Sequence, residues 1–358
     1  MAETNSLQPS PGSDYLTKLA NRLGGSWPAV FRARENARLE QTRLRDLITG
    51  LKPPANTSVV GFGSLARGEW TTGSDLDWTL MIDGPTDIWH LDTVKDIEAK
   101  LADMNYPKPG PTGTFGSMSS SHELVHYIGG AEDTNRNITR RVLLLLEAVS
   151  LSDQVTLDRV TRTILERYIV GDPPAESGTS FHVPLFLLND VVRFWRTMTV
   201  DYATKKWQRS SEKWAIKNIK LRMSRKLLFA KGMLMCFLCH ETFAGHPSST
   251  DPECVATELL NRCFAHSRHS AIELLAFSLD AFAGEDVGRQ VMRAYDRFLA
   301  TVDDRDNRAA LEGLKFGESS PLFNDMRQVT RDFTDGLVAL FFDSNQTLAE
   351  LTRKYGVF

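Results

Sequence analysis

The sequence predicts an α+β protein, a small mixed sheet with flanking helices followed by an all-helical domain, and three observations carry that expectation. Short runs suited to buried strands occur at Thr57–Phe62, Asp77–Ile82 and Glu123–Ile128. A helical pattern precedes them, from about Asp14 to Leu51. From Thr134 onward nearly every stretch repeats with helical period.

Taken in order, the first helical stretch is interrupted at Gly24-Gly25 and Pro28, and Pro53-Pro54 ends it. Its second piece carries Arg32, Arg34, Arg38, Arg43 and Arg45, a row that could track a polynucleotide. A helix over Leu91–Met104 separates the second and third strands. The later helices break at Gly171-Asp172-Pro173-Pro174, at Gly245-His246-Pro247 and near Gly317. These breaks imply an N-terminal helical segment over 1–55, a core over 56–175 and a C-terminal helical domain over 176–358. Phe194, Trp195 and Trp207 have the spacing of core aromatics.

The bulk numbers exclude several classes. A chain of 358 residues, 42% hydrophobic and 24% charged, is long enough to bury a core without disulfides or a structural metal. Forty-two basic residues against 45 acidic ones leave a net charge of −3, which argues against a surface coated in positive charge for duplex DNA. Nothing approaches the roughly 18 uncharged apolar residues of a membrane span. The start, Met1 to Ser13, is polar with two prolines, as expected of a disordered start rather than an export signal. The expectation is a soluble, cytoplasmic protein with no membrane partner. Cys236-Phe-Leu-Cys239-His240 formally fits haem attachment, but it continues an apolar run; Cys236, Cys239, Cys254 and Cys263 read as small core residues.

The chemistry sits between the first two strands. Gly63-Ser64 follows the first directly, and Asp75-Leu76-Asp77 opens the second. Alternation along a strand points both aspartates to one side. Two carboxylates held close repel each other unless a cation lies between them, and a hard divalent ion such as Mg²⁺ suits them. Glycine lets backbone approach a triphosphate, and Ser64 offers a hydroxyl and an N–H at the start of a short helix expected over Leu65–Glu69.

The whole stretch, Gly63-Ser64-Leu65-Ala66-Arg67-Gly68-Glu69 through Ser74-Asp75-Leu76-Asp77, closely resembles the signature of the DNA polymerase β-like nucleotidyltransferases. That resemblance implies a nucleotidyltransferase core and two-metal phosphoryl transfer with two Mg²⁺ ions, for which Mn²⁺ can substitute. It also implies a third metal-binding carboxylate on a later strand. Glu123, opening the third strand, is favoured; Asp133 is the rival and equally well caps the helix beginning near Thr134. On such a strand His122 and His126 would face away from Glu123, as packing residues.

A second candidate surface lies in the helical region. At about 100° per residue, Lys213, Lys217, Lys220 and Ser224 share one helix face, bordered by Ile216, Ile219, Met223 and Leu227 on one side and Trp214, Leu221 and Leu228 on the other. Charged residues flanked by apolar stripes suit a nucleotide-binding cleft, or lysine stems lying along a surface groove. Arg222, Arg225 and Lys226 point elsewhere, as solvated residues. Arg136, Arg140 and Arg141 are further candidates for phosphate contact.

Size and layout look most like the bacterial anti-phage defence synthases related to oligoadenylate synthases. The resemblance implies a nucleoside triphosphate substrate (ATP or dATP), an oligonucleotide signal as product and an effector protein encoded nearby. Tyr355, three residues before Phe358, adds a similarity to the Hailong-type enzymes, which build single-stranded DNA oligomers from dATP and control initiation through a C-terminal tyrosine. Tyr355 and Phe358 could equally pack the last helix. The alternative activity is a toxin-like transfer of one nucleotide to a protein or tRNA.

Overall fold

The computed structural model describes residues 8–10, 12–107, 116–170, 182–208 and 213–356, with the side chains of 205–208 left aside. The chain is α+β and divides into two compact units, Ala33–Tyr168 and Met1–Arg32 with Ile169–Phe358. The expected N-terminal segment over 1–55 is therefore not one piece: the division falls after Arg32, inside a helix.

The sheet unit holds β1 (Thr57–Phe62), β2 (Asp77–Ile82), β3 (Ser117–Ser120) and β4 (Val149–Ser150) in the order β3-β2-β1-β4. β1 pairs antiparallel with β2 and β4, and β2 pairs parallel with β3. Alternation along β2 sorts its side chains. Trp78, Leu80 and Ile82 join Val59 in a core against Leu44 and Ile48 of α2 (Pro28–Gly50) and Val94, Ile97 and Leu101 of α4 (Trp89–Asp103). Burial of each such side chain contributes about 1.5–3 kcal/mol. The opposite face presents Thr79 and Met81, with Val60 and Phe62 of β1, to Leu124, Leu143 and Leu144. Asp77 belongs to this second face, two residues before Thr79.

The third strand is not where the apolar run placed it. β3 covers Ser117–Ser120, and Ser121–His126 forms a helix, α5. Ser120 caps that helix, its hydroxyl accepting from the His122 N–H at 3.2 Å, and Glu123 stands three residues after the cap. Ser-x-x-Glu is a helix-start pattern, and it overrides the strand tendency of the residues that follow. His122 and His126 are consequently exposed rather than packed, their rings one helical turn apart at 4.6 Å.

In the helical unit, α1 (Tyr15–Leu23) is tied down at its start by Glu273, whose Oε2 accepts from the Tyr15 and Leu16 N–H groups at 2.9 and 3.2 Å. Asp296 Oδ1 does the same for Ala29 and Val30 at the start of α2. These caps explain why residues up to Arg32 belong with helices some 250 positions later. The expected disordered start is likewise corrected at Gln8: its amide donates to the Leu238 carbonyl at 2.8 Å, and Pro9 is buried. Residues 1–7 and 11 lie outside the described set. Breaks appear at Gly245–Pro247 and around Gly317 as expected, whereas Gly171–Pro174 falls outside the described residues. Cys236, Cys239 and Cys263 are buried, but Cys254 is exposed. Phe194 is buried, Trp195 only partly so, and Trp207 falls among the side chains left aside.

Candidate active site

Gly63 ends β1 with φ +67°, a backbone conformation only glycine adopts without strain, and starts α3, which covers Ser64–Arg67 rather than Leu65–Glu69. A helix of four residues adds little dipole, so what the turn offers is its first N–H groups and the half-buried Ser64 hydroxyl. Gly68, at φ +74°, closes the helix, and its cap N–H bonds to the Ser64 carbonyl. The chain then folds back through a turn held by Ser74, whose hydroxyl accepts from the Thr71 N–H at 2.9 Å.

That turn delivers Asp75-Leu76-Asp77. Leu76 is 2% exposed and anchored in the core, so its neighbours project outward; Asp75 is exposed and Asp77 half-buried. Asp77 pairs with Phe62 across the strands, which brings its carboxylate beside Gly63. A Cβ on residue 63 would lie 2.9 Å from Asp77 Oδ2. Glycine is thus required twice over, for its backbone angle and for the room it leaves the carboxylate. Two carboxylates at the mouth of a glycine turn are hard oxygen donors, the chemistry Mg²⁺ prefers. Among the described residues, no three His, Cys, Asp or Glu side chains gather into a metal-holding cluster.

Beneath the turn lies a cluster that the motif alone did not reveal. Arg67 is 6% exposed; its Nε lies 3.0 Å from Glu69 Oε2, and its Nη1 donates to Glu147 Oε2. Glu147 precedes β4, which runs alongside β1, so the ion pair ties α3 to the far side of the sheet. Arg67 and Glu69 stand inside the quoted signature. Glu147, the second carboxylate on Arg67, is 80 residues away from it, and no spacing rule points to it.

The two rivals for a third carboxylate are placed as follows. Asp133 is buried and held by Arg141 through two bonds, at 3.1 and 2.8 Å, and also accepts from the Gly129 N–H at 3.1 Å. Arg141 in turn donates to the Tyr168 hydroxyl at 2.6 Å. Asp133 does not cap α6 (Asn135–Leu146); Thr134 does, accepting from the Asn137 N–H. Glu123 is half-exposed on α5, and its field raises the pKa of Arg140 against the larger lowering effect of burial, to which Arg136 adds. Arg140 Nη2 donates to Ser117 Oγ at 3.2 Å, and Ser117 pairs with Thr79, so Arg140 reaches the face of the sheet that carries Asp77.

The lysine face belongs to the helical unit. Lys213 takes a left-handed conformation at φ +58° ahead of α9 (Trp214–Lys220; α8 is Leu185–Gln208), and its ammonium pairs with Glu312 at 2.8 Å. Burial pushes Glu312 upward, but Lys213 and Arg308 outweigh it and hold the carboxyl below its ordinary value. Lys217 is exposed and Lys220 half-buried, with Ile216, Ile219, Met223 and Leu227 buried beside them. Ser224 departs from the expected face. Leu221–Arg225 is a π-helical segment, which breaks the 100° register, and Ser224 is buried at 4% exposure. Lys226, expected in solvent, is instead half-buried and donates to Thr334 Oγ1 at 2.7 Å. Tyr355 is half-buried in a second π segment, Thr352–Gly356, with Lys354 Nζ 4.8 Å from its ring centroid. Phe358 lies outside the described residues. Of the N-terminal arginines, Arg32 faces Asp303, Arg38 and Arg43 face glutamates one turn away, and Arg45 donates to the Ser150 carbonyl.

No helix among the described residues is long and apolar enough to cross a membrane. No curated protein matches the chain. Residues 44–110 match the family model of the nucleotidyltransferase domain, a span that contains the Gly63-Ser64 turn and both aspartates. Within the sheet unit, residues 44–110 are therefore similar to the nucleotidyltransferase domains of the polymerase β-like family.

Proposed function

We propose that the chain is a metal-dependent nucleotidyltransferase that links nucleoside triphosphates, ATP or dATP, into a single-stranded oligonucleotide signal. The observation that carries the reading is the pairing of Asp77 with the glycine turn across β1 and β2. Asp75 and Asp77 would hold Mg²⁺, whose remaining positions suit water and phosphate oxygens. Bound there, the ion supplies charge neutralisation at the reacting phosphate and a lowered pKa for the attacking hydroxyl. The residues of the chain do the rest. Gly63 and the amide and hydroxyl of Ser64 cradle the phosphates, and Arg67 with Glu147 holds the cradle to the sheet. Arg140, on the face of Asp77, is placed to meet a phosphate oxygen, with Glu123 either adding a third carboxylate or tuning that arginine. Lys217 and Lys220 are further nucleotide contacts, and their alanine variants should bind nucleotide more weakly.

Tyr355 is proposed as the first acceptor, and anti-phage signalling with a neighbouring effector as the setting. Both rest on the resemblance in layout and on the partial exposure of Tyr355 near Phe358. The test is incubation with Mg²⁺ and each labelled NTP and dNTP in turn, followed by denaturing and protein gels. A free ladder made by the native chain and absent from Asp75→Ala/Asp77→Ala supports oligonucleotide synthesis. Label on the protein that disappears in Tyr355→Phe supports priming. Label appearing only on a lysate protein or tRNA would replace this reading with single-nucleotide transfer.

A further inference from the structure

Within the helical unit, a cavity of about 350 Å³ is walled almost entirely by apolar side chains. Trp195 of α8 and Phe229 of α10 (Lys226–Phe237) stack with ring centroids 5.3 Å apart and planes 19° apart. Met233, Leu337 and Phe341 supply the rest of the wall. Lys226 is the only charged residue among the described lining residues. Its ammonium donates to the Thr334 hydroxyl at 2.7 Å. Burial lowers its pKa, as does the field of Arg222, with Asp335 acting weakly in the other direction.

Of the two π segments among the described residues, one immediately precedes Lys226 and the other lines the cavity. The π segment Leu221–Arg225 ends immediately before Lys226, whose ammonium donates to Thr334. The second, Thr352–Gly356, contributes both of its end residues to the lining. Gly356 packs so closely that a Cβ there would lie 2.8 Å from Met233 Cε. An α-helix departs from its register at a cost, and such departures gather at binding sites. A concave apolar cavity with one convergent polar group is the usual form of a small-molecule site.

We propose that this cavity binds a small amphiphilic anion, a flat apolar body lying against Trp195 and Phe229 with one acidic group on the Lys226 ammonium. A nucleoside triphosphate does not fit the description. One lysine offsets one charge, and the remaining phosphate charges would face leucine and phenylalanine. The site is therefore distinct from the nucleotide chemistry and stands whether or not that reading holds.

The probe is 8-anilinonaphthalene-1-sulfonate, titrated into the full chain by fluorescence, with its uncharged relative N-phenyl-1-naphthylamine as the control. Saturable binding of one sulfonate per chain is expected. Lys226→Met should weaken it about tenfold, the worth of one charge-assisted hydrogen bond, and leave the neutral probe unchanged. Lys226→Arg should retain the sulfonate, and matching melting curves would show that all three chains are folded. Should Lys226→Met prove unfolded, Ala230→Phe, which fills the cavity, should displace both probes. Equal sulfonate binding by the native chain and a folded Lys226→Met, binding that does not saturate, or probes indifferent to Ala230→Phe would overturn the proposal.

Discussion

Asp75 and Asp77 stand at the open end of β2, exposed and half-buried, while Asp133 and Glu147 in the same unit are sealed under protein with arginines against them. All four are carboxylates near the sheet, yet their surroundings are opposite. The buried pair of Asp133 with Arg141 fixes a turn to α6 and to Tyr168, and Glu147 with Arg67 fixes α3 to the sheet. A carboxylate whose oxygens are already committed to a guanidinium is a poor metal ligand. Asp77 instead lies beside a glycine turn, half-buried at the end of β2, with its neighbour Leu76 anchored in the core.

The comparison breaks most sharply on activity. Asp77→Asn keeps the shape and removes the charge, and nucleotidyl transfer should fall by about 10³-fold or more, with the melting temperature unchanged. A variant that melts normally and still transfers nucleotide at a native rate would move the chemistry elsewhere.

Asp133→Ala should show the reverse pattern. Removing one partner of a buried ion pair should cost about 3–5 kcal/mol of stability, read as a lower denaturation midpoint. Measured at low temperature, where the fold survives, its transfer rate should stay near native. A variant that melts normally but is inactive would restore Asp133 as a metal ligand. The two variants together separate the roles that residue type alone left confounded.

The closeness of Asp77 to the glycine turn was legible because β1 and β2 pair antiparallel, so residues close in sequence meet in space. The buried pairs were not. Arg67 and Glu147 are 80 positions apart, and only the closing of β4 onto β1 joins them. Asp133 looked like a helix cap because it precedes Thr134, and the choice between them was made by Arg141, buried on the inner side of α6. The misplacement of Glu123 had a readable signal: Ser120 and Glu123 have the spacing of a capping box, which should have outweighed the apolar run after them. The π segment before Lys226 had none, since an inserted residue in a helix is settled by packing rather than by pattern.

The helical unit extends the comparison to a buried histidine. His266 is packed between the Met235 carbonyl and Gln8, and burial lowers its pKa to about 4 from an ordinary 6.5, with the Met235 carbonyl opposing. Its folded pKa lies below its unfolded one, so the unfolded chain binds the extra proton between those values. The contribution is present above about pH 6.5 and is lost as pH falls toward 4, by roughly 3 kcal/mol in all. Urea midpoints measured across that window should drop steeply in the native chain and less so in His266→Gln. Equal slopes would show that the histidine is not held neutral in the fold.

The smallest effect belongs to Lys213, and it sharpens the same contrast from the opposite side. Its ion pair with Glu312 has good geometry at 2.8 Å, but the lysine side chain is 56% exposed. Solvent and salt screen such a pair, and fixing a long flexible side chain offsets much of the attraction, so Lys213→Ala should change stability by less than about 1 kcal/mol. Nucleotide affinity is the more informative readout. Because Lys213 is already paired with Glu312, its alanine variant should lose little affinity. If Lys213→Ala proves strongly damaging, the pair must open when nucleotide binds, and the affinity loss should then grow as ionic strength is lowered.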